Sequence, residues 1–170
     1  YVSRDELLDQ IYPMRRKFTS YKSYADAMIT DVFSSEELNG VMKLQATELQ
    51  TMVFMNEGGR FVAKQLPLQA QFAPVYKIIT LDINKDGFQD LILLGNNDYP
   101  RLKLGKIDAC FGTLLLNDGK ANFTYVPQAN SGLRIAGDAK DAIVLELGGE
   151  QYLVTGINNN ALLTYRINRR

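Results

Sequence analysis

Residues 75–97 read VYKIITLDINKDGFQDLILLGNN, which is two apolar runs separated by a polar loop. Each run has the length of a β-strand, and neither has the three- to four-residue spacing of a helix. In the loop, residues 82–90, oxygen-bearing side chains occupy the first, third, fifth and ninth positions, and glycine occupies the sixth. Because a plain hairpin turn needs only about two to five residues, this loop predicts either a cation site or an unusually long acidic turn.

Calcium is the cation that this oxygen spacing favours. Ca²⁺ binds about six to eight oxygens, and alternate side chains of a tightly wound loop point inward together. The predicted ligands are the side chains of Asp82, Asn84, Asp86 and Asp90 and the backbone carbonyl of Phe88. Without a cation the carboxylates of such a loop would repel one another, and Mg²⁺ fits less well because it requires stricter octahedral geometry. A metal-free acidic turn stays open as the alternative, since Asp, Asn and Gly are ordinary turn residues.

The loop at 82–90 does not have the EF-hand pattern, and the corresponding hairpin of the last unit has no such loop. Leu93 occupies the twelfth position, where an EF-hand has a bidentate Glu. In the later stretch LELGGEQYLV a two-glycine turn joins the strands, and Glu146 and Glu150 are its only carboxylates. Strand pairing therefore does not require a long loop, and the loop at 82–90 is predicted to have another use.

Short strands and turns alternate over most of the chain, and two pairs of matching residues recur at one spacing. Asn56 and Asn117 lie 61 residues apart, as do Gly95 and Gly156. A four-strand unit with this period predicts stacked or radially arranged sheets, such as the blades of a β-propeller. The complete unit is predicted at 75–127, with half a unit before it and most of another after it.

The start of the chain has a helical pattern instead. Ser3 and Glu6 have the spacing of a capping box, Pro13 is predicted to end the first helix, and Ser34 with Glu37 predicts a short third turn. Apolar residues at helical spacing predict a second amphipathic helix, with Tyr21, Tyr24, Ala25, Met28 and Val32 on one face. The predicted domains are a helical segment at 1–39, packed on the sheets, and a β region at 40–170.

The composition limits the chemistry. Nineteen basic and nineteen acidic side chains give zero net charge, which argues against a nucleic-acid partner or a charged membrane surface. No apolar stretch reaches the length of a membrane span, so membrane insertion is not expected. The absence of histidine removes the commonest general base and most transition-metal sites. The single cysteine, Cys110, precedes the apolar run FGTLLL and is predicted to be buried.

The stretch DINKDGFQDLILLGN, followed by LLLNDGKANFTYVP, resembles the FG-GAP or VCBS repeat. That repeat is the blade of integrin α-chain propellers and of bacterial surface proteins related to the cartilage acidic protein family. The resemblance extends over roughly residues 41–167 and is strongest in the middle unit. It implies a mainly β fold of antiparallel four-stranded propeller blades, forming a partial propeller with an N-terminal helical segment. The family's loop binds calcium between the inner two strands of a blade, which implies the ligand set Asp82, Asn84, Asp86, Phe88 and Asp90.

The chain departs from the family pattern in two places. The last unit lacks the metal loop, and the helical start matches no part of the repeat. That start resembles the helical insertion of some Bacteroidetes-type members, which implies the C-terminal part of a longer propeller. We therefore expect a bacterial protein that is secreted, periplasmic or displayed on the cell surface. The exposed sheet edges of such a part would invite edge-strand self-association.

The function that we expect from these observations is a non-catalytic, calcium-binding propeller segment whose loops bind an unknown protein or glycan. Two connections are predicted to be exposed, at 95–108 and at 128–137, and long irregular loops often carry binding sites. The candidate ligand-binding residues in the first loop are Asn96, Asn97, Asp98, Tyr99 and Arg101. A solvated loop without a ligand is the alternative.

Two other functions stay open at this point. Asp98 and Asp108 flank the first loop, and a hydrolase could use two such carboxylates across a cleft. The third possibility is a purely structural assembly domain, in which the helical start docks onto a neighbouring domain.

Overall fold

The computed structural model describes residues 2–168 and divides the chain into two compact units, Tyr1–Thr47 and Glu48–Arg170. The protein is mainly β, with 34% of residues in strands and 17% in helices, as predicted from the sequence. The first unit includes residues 41–47, which have no regular secondary structure, whereas the sequence placed the boundary after residue 39. Among the described residues, no helix is both long enough and apolar enough to cross a membrane.

Four short helices form the first unit. They are α1 (Arg4–Gln10), α2 (Met14–Lys17), α3 (Tyr21–Ala25) and α4 (Ile29–Val32). The predicted capping box opens α1, since the Ser3 N–H donates to Glu6 Oε2 at 2.8 Å, and Pro13 separates α1 from α2. Leu7, Phe18 and Val32 form the buried core of this unit.

The second predicted helix is divided into α3 and α4, which corrects the sequence interpretation. The first of these helices ends at Ala25, and the Met28 N–H donates to the Asp31 carboxylate at 2.8 Å, a bond that caps the start of a new helix at Ile29. Ser34 and Glu37 make the predicted capping bonds, at 2.8 and 3.3 Å, but only turns follow them. Local side-chain bonds to the backbone therefore override the apolar periodicity here.

Three antiparallel sheets form the second unit, and each contains consecutive strands. Sheet 1 contains β1 (Met52–Glu57) and β2 (Arg60–Gln65). Sheet 2 contains β3 (Val75–Leu81), β4 (Asp90–Gly95), β5 (Thr113–Asn117) and β6 (Phe123–Val126). Sheet 3 contains β7 (Ala139–Leu147), β8 (Glu150–Ile157) and β9 (Leu163–Arg166). Sheet 2 spans the predicted four-strand unit, and the described strands of residues 2–168 form no closed ring.

The sheets stack face to face through two apolar clusters. Successive residues of a strand point to opposite faces, and β4 uses both. Leu93 packs in the cluster to which Val53 of sheet 1 also contributes, whereas Leu94 packs with Leu153 and Ile157 of sheet 3. We call the side of each sheet that lies toward the lower-numbered sheet its front face and the other side its back face.

The two residue pairs that mark the repeat differ in the structure: Asn56 and Asn117 occupy equivalent positions, whereas Gly95 and Gly156 do not. Asn56 and Asn117 each accept a backbone N–H from a glycine in the turn that follows, at 2.9 and 3.1 Å. Gly95 pairs with Val75, before the bulge in β3, whereas Gly156 pairs with Asp141, after the matching bulge in β7. The two glycines therefore differ by one place in register, although their spacing in the sequence is the same.

The connection at 128–137, which the sequence suggested to be an exposed loop, is exposed only in part. It begins with α5 (Gln128–Ser131), and then Leu133 and Ile135 enter the cluster between sheets 2 and 3. These two side chains are 7% and 1% exposed. The connection packs into the core because it crosses from one sheet to the next between their apolar faces.

Candidate metal centre

The loop at 82–90 is wound around the carboxylate of its first residue. Asp82 Oδ1 accepts the Asp86 N–H at 3.2 Å, and Asp82 Oδ2 accepts the Gly87 N–H at 3.0 Å. This winding requires left-handed backbone at Lys85 and Gly87, with φ of 62° and 91°. Glycine adopts that conformation without steric cost, which explains its place at the sixth position.

The side chains at the first, third and fifth positions come together, as the spacing predicted. Asn84 Oδ1 lies 3.2 Å from the Asp86 backbone nitrogen, the same atom that Asp82 Oδ1 contacts. Asn84 Nδ2 donates to Asp86 Oδ2 at 2.7 Å, and Asp86 Oδ1 accepts the Phe88 N–H at 2.9 Å. Oxygens of Asp82, Asn84 and Asp86 thus surround one short piece of backbone.

Asp90 has a different environment from the other three predicted side-chain ligands. Its side chain is buried, with 1% of the residue exposed. Asp90 Oδ2 accepts the Ile83 N–H and Asp90 Oδ1 accepts the Asn117 N–H, both at 2.9 Å. One carboxylate therefore fastens the start of the loop to its end and to β5, while each oxygen keeps a further lone pair for a ligand.

Phe88 and Asn117 attach the loop to the turn between β5 and β6. Asn117 Nδ2 donates to the Gln89 carbonyl at 3.1 Å. The Phe88 ring lies over Gly119 so closely that a Cβ at residue 119 would be 2.4 Å from it. The sequence did not identify Asn117 as part of the site, although its match with Asn56 marked it as a turn residue.

The donor set is chemically suited to a hard cation. Every predicted ligand is an oxygen, which is the donor type that Ca²⁺ binds. Across residues 2–168, no group of three or more His, Cys, Asp or Glu side chains is arranged to hold a metal ion. A cation at this loop would therefore depend on the Asn84 amide and the Phe88 carbonyl as well as on Asp82 and Asp86.

The corresponding turn of sheet 3 uses its carboxylate differently. Gly148 and Gly149 make the tight turn between β7 and β8, with φ of 61° and 80°. Glu150 accepts hydrogen bonds from the Tyr152 hydroxyl at 2.9 Å and from Arg166 Nη1 at 3.3 Å. The hydrogen bond to Glu150 raises the pKa of Tyr152 above its usual value. The hydrogen bonds of Glu150 to Tyr152 and Arg166 stabilise this turn. The turn shares only its position in the sheet with the loop at 82–90.

The other predicted ligand-binding residues lie on a loop with its own internal bonds. Asn97 and Ile107 form an isolated β-bridge, with N···O distances of 2.8 and 3.0 Å. Asn97 Oδ1 accepts the Tyr99 N–H at 3.1 Å. Beyond the bridge, Tyr99 is 69% exposed, Arg101 is also exposed, and Asp98 lies 3.8 Å from Lys106 Nζ. Asp98, Tyr99 and Arg101 therefore follow the bridge residue Asn97 on this loop, with Tyr99 and Arg101 exposed and Asp98 half-buried.

Asn96 is separated from that group by burial. It is 0% exposed, and its backbone φ is 86°. Its side chain donates to the carbonyls of Cys110 and Gly137, at 2.7 and 2.9 Å, and accepts the Cys110 N–H at 2.9 Å. Asn96 therefore joins three chain segments and presents no side-chain group to solvent. Cys110 is buried beside it, as predicted.

The predicted hydrolase pair is not at a described cleft. Asp98 directly follows Asn97, and Asp108 directly follows Ile107, the two residues that form the bridge. A cleft of about 520 Å³ in the β unit is lined by Leu114, Leu153 and Tyr165 with other side chains, and none of its lining residues in the described chain is an Asp or Glu.

Comparisons with known proteins found no match to this chain. No protein-family model matches it, and neither the curated proteins nor the solved structures include a significant match.

Proposed function

We propose that this protein is a non-catalytic, calcium-binding β-sheet module that displays loops for binding a protein or glycan. The observation that carries the proposal is the winding of residues 82–90, which brings oxygens of Asp82 and Asn84 to the backbone nitrogen of Asp86 and an Asp86 oxygen to the nearby backbone nitrogen of Phe88. A bound Ca²⁺ would supply the positive charge that this group of acceptors lacks. The residues that would hold it are Asp82, Asn84, Asp86 and Asp90 by side chain and Phe88 by carbonyl.

The role of the cation in this proposal is structural. The loop joins β3 to β4, and Asp90, Asn117 and Phe88 attach it to the β5–β6 turn. A cation that fixes the loop would therefore stabilise both hairpins of sheet 2. Binding to the native state alone stabilises a protein by mass action, by about 2.7 kcal/mol at a ligand concentration 100 times the dissociation constant.

We further propose that the three sheets are blades of a propeller-like arrangement of the FG-GAP or VCBS type. Support comes from their order, since consecutive meander sheets stack face to face in the order of the sequence. A bacterial secreted, periplasmic or cell-surface setting belongs to the same proposal, because calcium sites of extracellular modules bind with dissociation constants of about 10⁻⁴ to 10⁻³ M. The partner would contact the outer part of the 95–108 loop, at Asp98, Tyr99 and Arg101.

Calorimetry and thermal unfolding test the calcium site directly. We expect millimolar Ca²⁺ to raise the melting temperature of the wild type by several degrees relative to chelator, and Mg²⁺ to raise it less. Asp86→Asn should abolish the calcium-dependent shift, because it removes one negative charge from the loop while preserving the size of the side chain.

Asp118→Asn is the matched control for that experiment. Asp118 also caps a turn, and the hydrogen bond from the Asn122 side chain lowers its pKa, but it lies outside residues 82–90. This variant should keep the full calcium response. A wild-type protein that shows neither calorimetric binding nor a melting shift in calcium would make the loop an acidic turn and end the proposal.

A further inference from the structure

Sheets 2 and 3 pack closely along one edge of their interface and leave a cleft along the other. At the first edge β7 lies beside β3 and β4, and Leu94 and Ala139 are buried between the sheets. At the other edge, toward β6 and β9, the same interface contains the cleft of about 520 Å³. Protein interiors are otherwise close-packed, and gaps larger than a water molecule are few. A space of this size between two apolar faces is therefore a candidate binding site.

The walls of the cleft are apolar and come from two facing sheets of the same unit. The back face of sheet 2 contributes Leu114 and Val126, which pair across β5 and β6. The front face of sheet 3 contributes Leu153 and Tyr165, which pair across β8 and β9. All of the lining residues in the described chain lie within residues 83–168. The cleft is therefore a feature of the second unit by itself.

Small side chains in the connection between β6 and β7 leave this space open. The connection lines the cleft with Ala129, Ser131 and Gly132, whose side chains fill little volume. Gly132 also ends α5 in the left-handed conformation, with φ of 71°, which disfavours a larger residue there. Ile135 of the same connection is buried in the cluster between the sheets instead. The connection thus closes the interface beyond the cleft without filling the cleft.

The rim of the cleft is polar, and its charged side chain in the described chain is a cation. Arg166 lines the rim together with the amides of Asn84, Asn130 and Asn168. Arg166 Nε donates to Asn168 Oδ1 at 3.1 Å, and Nη1 donates to Glu150 at 3.3 Å. These bonds hold the guanidinium at the rim, and Glu150 offsets part of its charge from outside the cleft. An anionic group at the rim would meet the guanidinium and amide N–H donors and no lining carboxylate.

We propose that this cleft binds a small amphiphilic carboxylate, such as a medium-chain fatty acid. The apolar body lies between Leu114 and Leu153, and the carboxylate lies at the rim beside Arg166. Ligand pockets typically have volumes of about 300–1,000 Å³, mostly apolar walls and a few polar groups that fix orientation, which is the combination found here. The proposal does not rest on calcium binding, and its test is made with chelator present.

Calorimetric titration with decanoate, decanol and decylammonium, below their micelle-forming concentrations, tests the site and its preference for a carboxylate. We expect saturable one-to-one binding of decanoate to the wild type. Decanol should bind about two- to fivefold more weakly, because a partly exposed ion pair contributes modestly, and decylammonium should bind more weakly still. Arg166→Gln should bind decanoate and decanol equally, because it removes the charge and keeps the apolar walls.

Ala129→Phe and Ala136→Phe locate the binding site. Both residues are exposed and belong to the same connection, but only Ala129 lines the cleft. Ala129→Phe should weaken decanoate binding at least about tenfold by occupying the space, whereas Ala136→Phe should bind like the wild type. Urea denaturation of each variant confirms folding, which the exposure of the substituted residues allows.

Three results would overturn the proposal. The first is a wild type without saturable decanoate binding, as expected if another segment of the protein fills the cleft or if decanoate only adsorbs to exposed apolar side chains. The second is equal binding of decanoate by Ala129→Phe and Ala136→Phe, which would place the site elsewhere. The third is a wild type that binds decylammonium as tightly as decanoate, which would remove the role of Arg166.

Discussion

At the residue scale, the Pro74 carbonyl requires a glycine at position 95. A Cβ built on Gly95 would be 1.8 Å from the Pro74 oxygen, whereas a Cβ on Gly156 would be 3.6 Å from the Asp141 oxygen, an ordinary contact. The Asn96 N–H donates to the same Pro74 carbonyl at 3.3 Å. The close approach of these two backbones therefore depends on the missing side chain.

We predict that Gly95→Ala and Gly156→Ala have very different effects on stability. Gly95→Ala should lower the free energy of unfolding by about 3 kcal/mol or more, because backbone must move to admit the methyl group. Gly156→Ala should change it by less than about 1 kcal/mol. Urea denaturation of both variants measures the difference, and equal effects would contradict the register assigned to the two strands.

The sequence could identify the loop residues, but it assigned Asn96 to an exposed binding loop and missed its buried role. The spacing of Asp82, Asn84 and Asp86 is local, so a loop of nine residues carries all the information that brings them together. Asn96 makes its bonds to residues 14 and 41 positions away along the chain. Its burial depends on how two sheets and a connection pack, and no pattern within a short window predicts that.

At the element scale, strands and turns were predictable and helix boundaries were less so. The Gly58–Gly59 and Gly148–Gly149 turns join strands that pair residue by residue, because glycine provides the left-handed backbone that tight turns need. The break between α3 and α4 was missed because the apolar spacing continues across it. The hydrogen bond from the Met28 N–H to Asp31 starts the second helix. The sequence could not identify this bond in advance, because many other residues offer a similar one.

Asp90 gives the element-scale prediction, since it links the loop to two strands. With chelator present, Asp90→Ala should lower the free energy of unfolding by about 2–4 kcal/mol, because two backbone N–H groups lose their acceptor. Asp86→Ala, in the exposed part of the same loop, should cost less than about 1 kcal/mol under these conditions. Urea denaturation provides both values. Equal, small losses would mean that the Asp90 bonds do not fasten the loop.

At the scale of the whole molecule, matching bulges join sheets 2 and 3. The bulge residues are Tyr76 in β3 and Lys140 in β7, and Lys140 Nζ lies 3.5 Å from the centre of the Tyr76 ring. The residues that follow the bulges, Lys77 and Asp141, form an ion pair at 2.6 Å. The repeat predicted that the two sheets would be related, but the bulges and their contacts appear only in the structure.

The ion pair predicts a pH dependence of stability. The hydrogen bond from Lys77, followed by that from the Ala142 N–H, holds the pKa of Asp141 below its ordinary value. A lowered folded-state pKa adds stability above the ordinary value of about 3.9, and this stability is lost as the pH falls through the lowered pKa. Urea midpoints measured between about pH 6 and pH 2 should therefore fall less steeply in Asp141→Asn than in the wild type.

Lys77→Gln is the control for the pH experiment. It removes the same ion pair from the other side but keeps Asp141 and its hydrogen bond from the Ala142 N–H, so the fall in stability at acidic pH should become less steep than in the wild type but steeper than in Asp141→Asn. A slope in Lys77→Gln equal to that of the wild type would show that the ion pair does not couple protonation to folding.

The consecutive order of strands in every sheet also bears on how quickly the chain acquires its structure. Each strand of sheets 1, 2 and 3 pairs only with strands next to it in the sequence, so a sheet can form without waiting for a distant segment. Contacts between sequence neighbours favour fast folding because little loop-closure entropy is lost. During synthesis, sheet 1 could form while sheet 3 is still being translated, and each new sheet would then condense on the back face of the sheet before it.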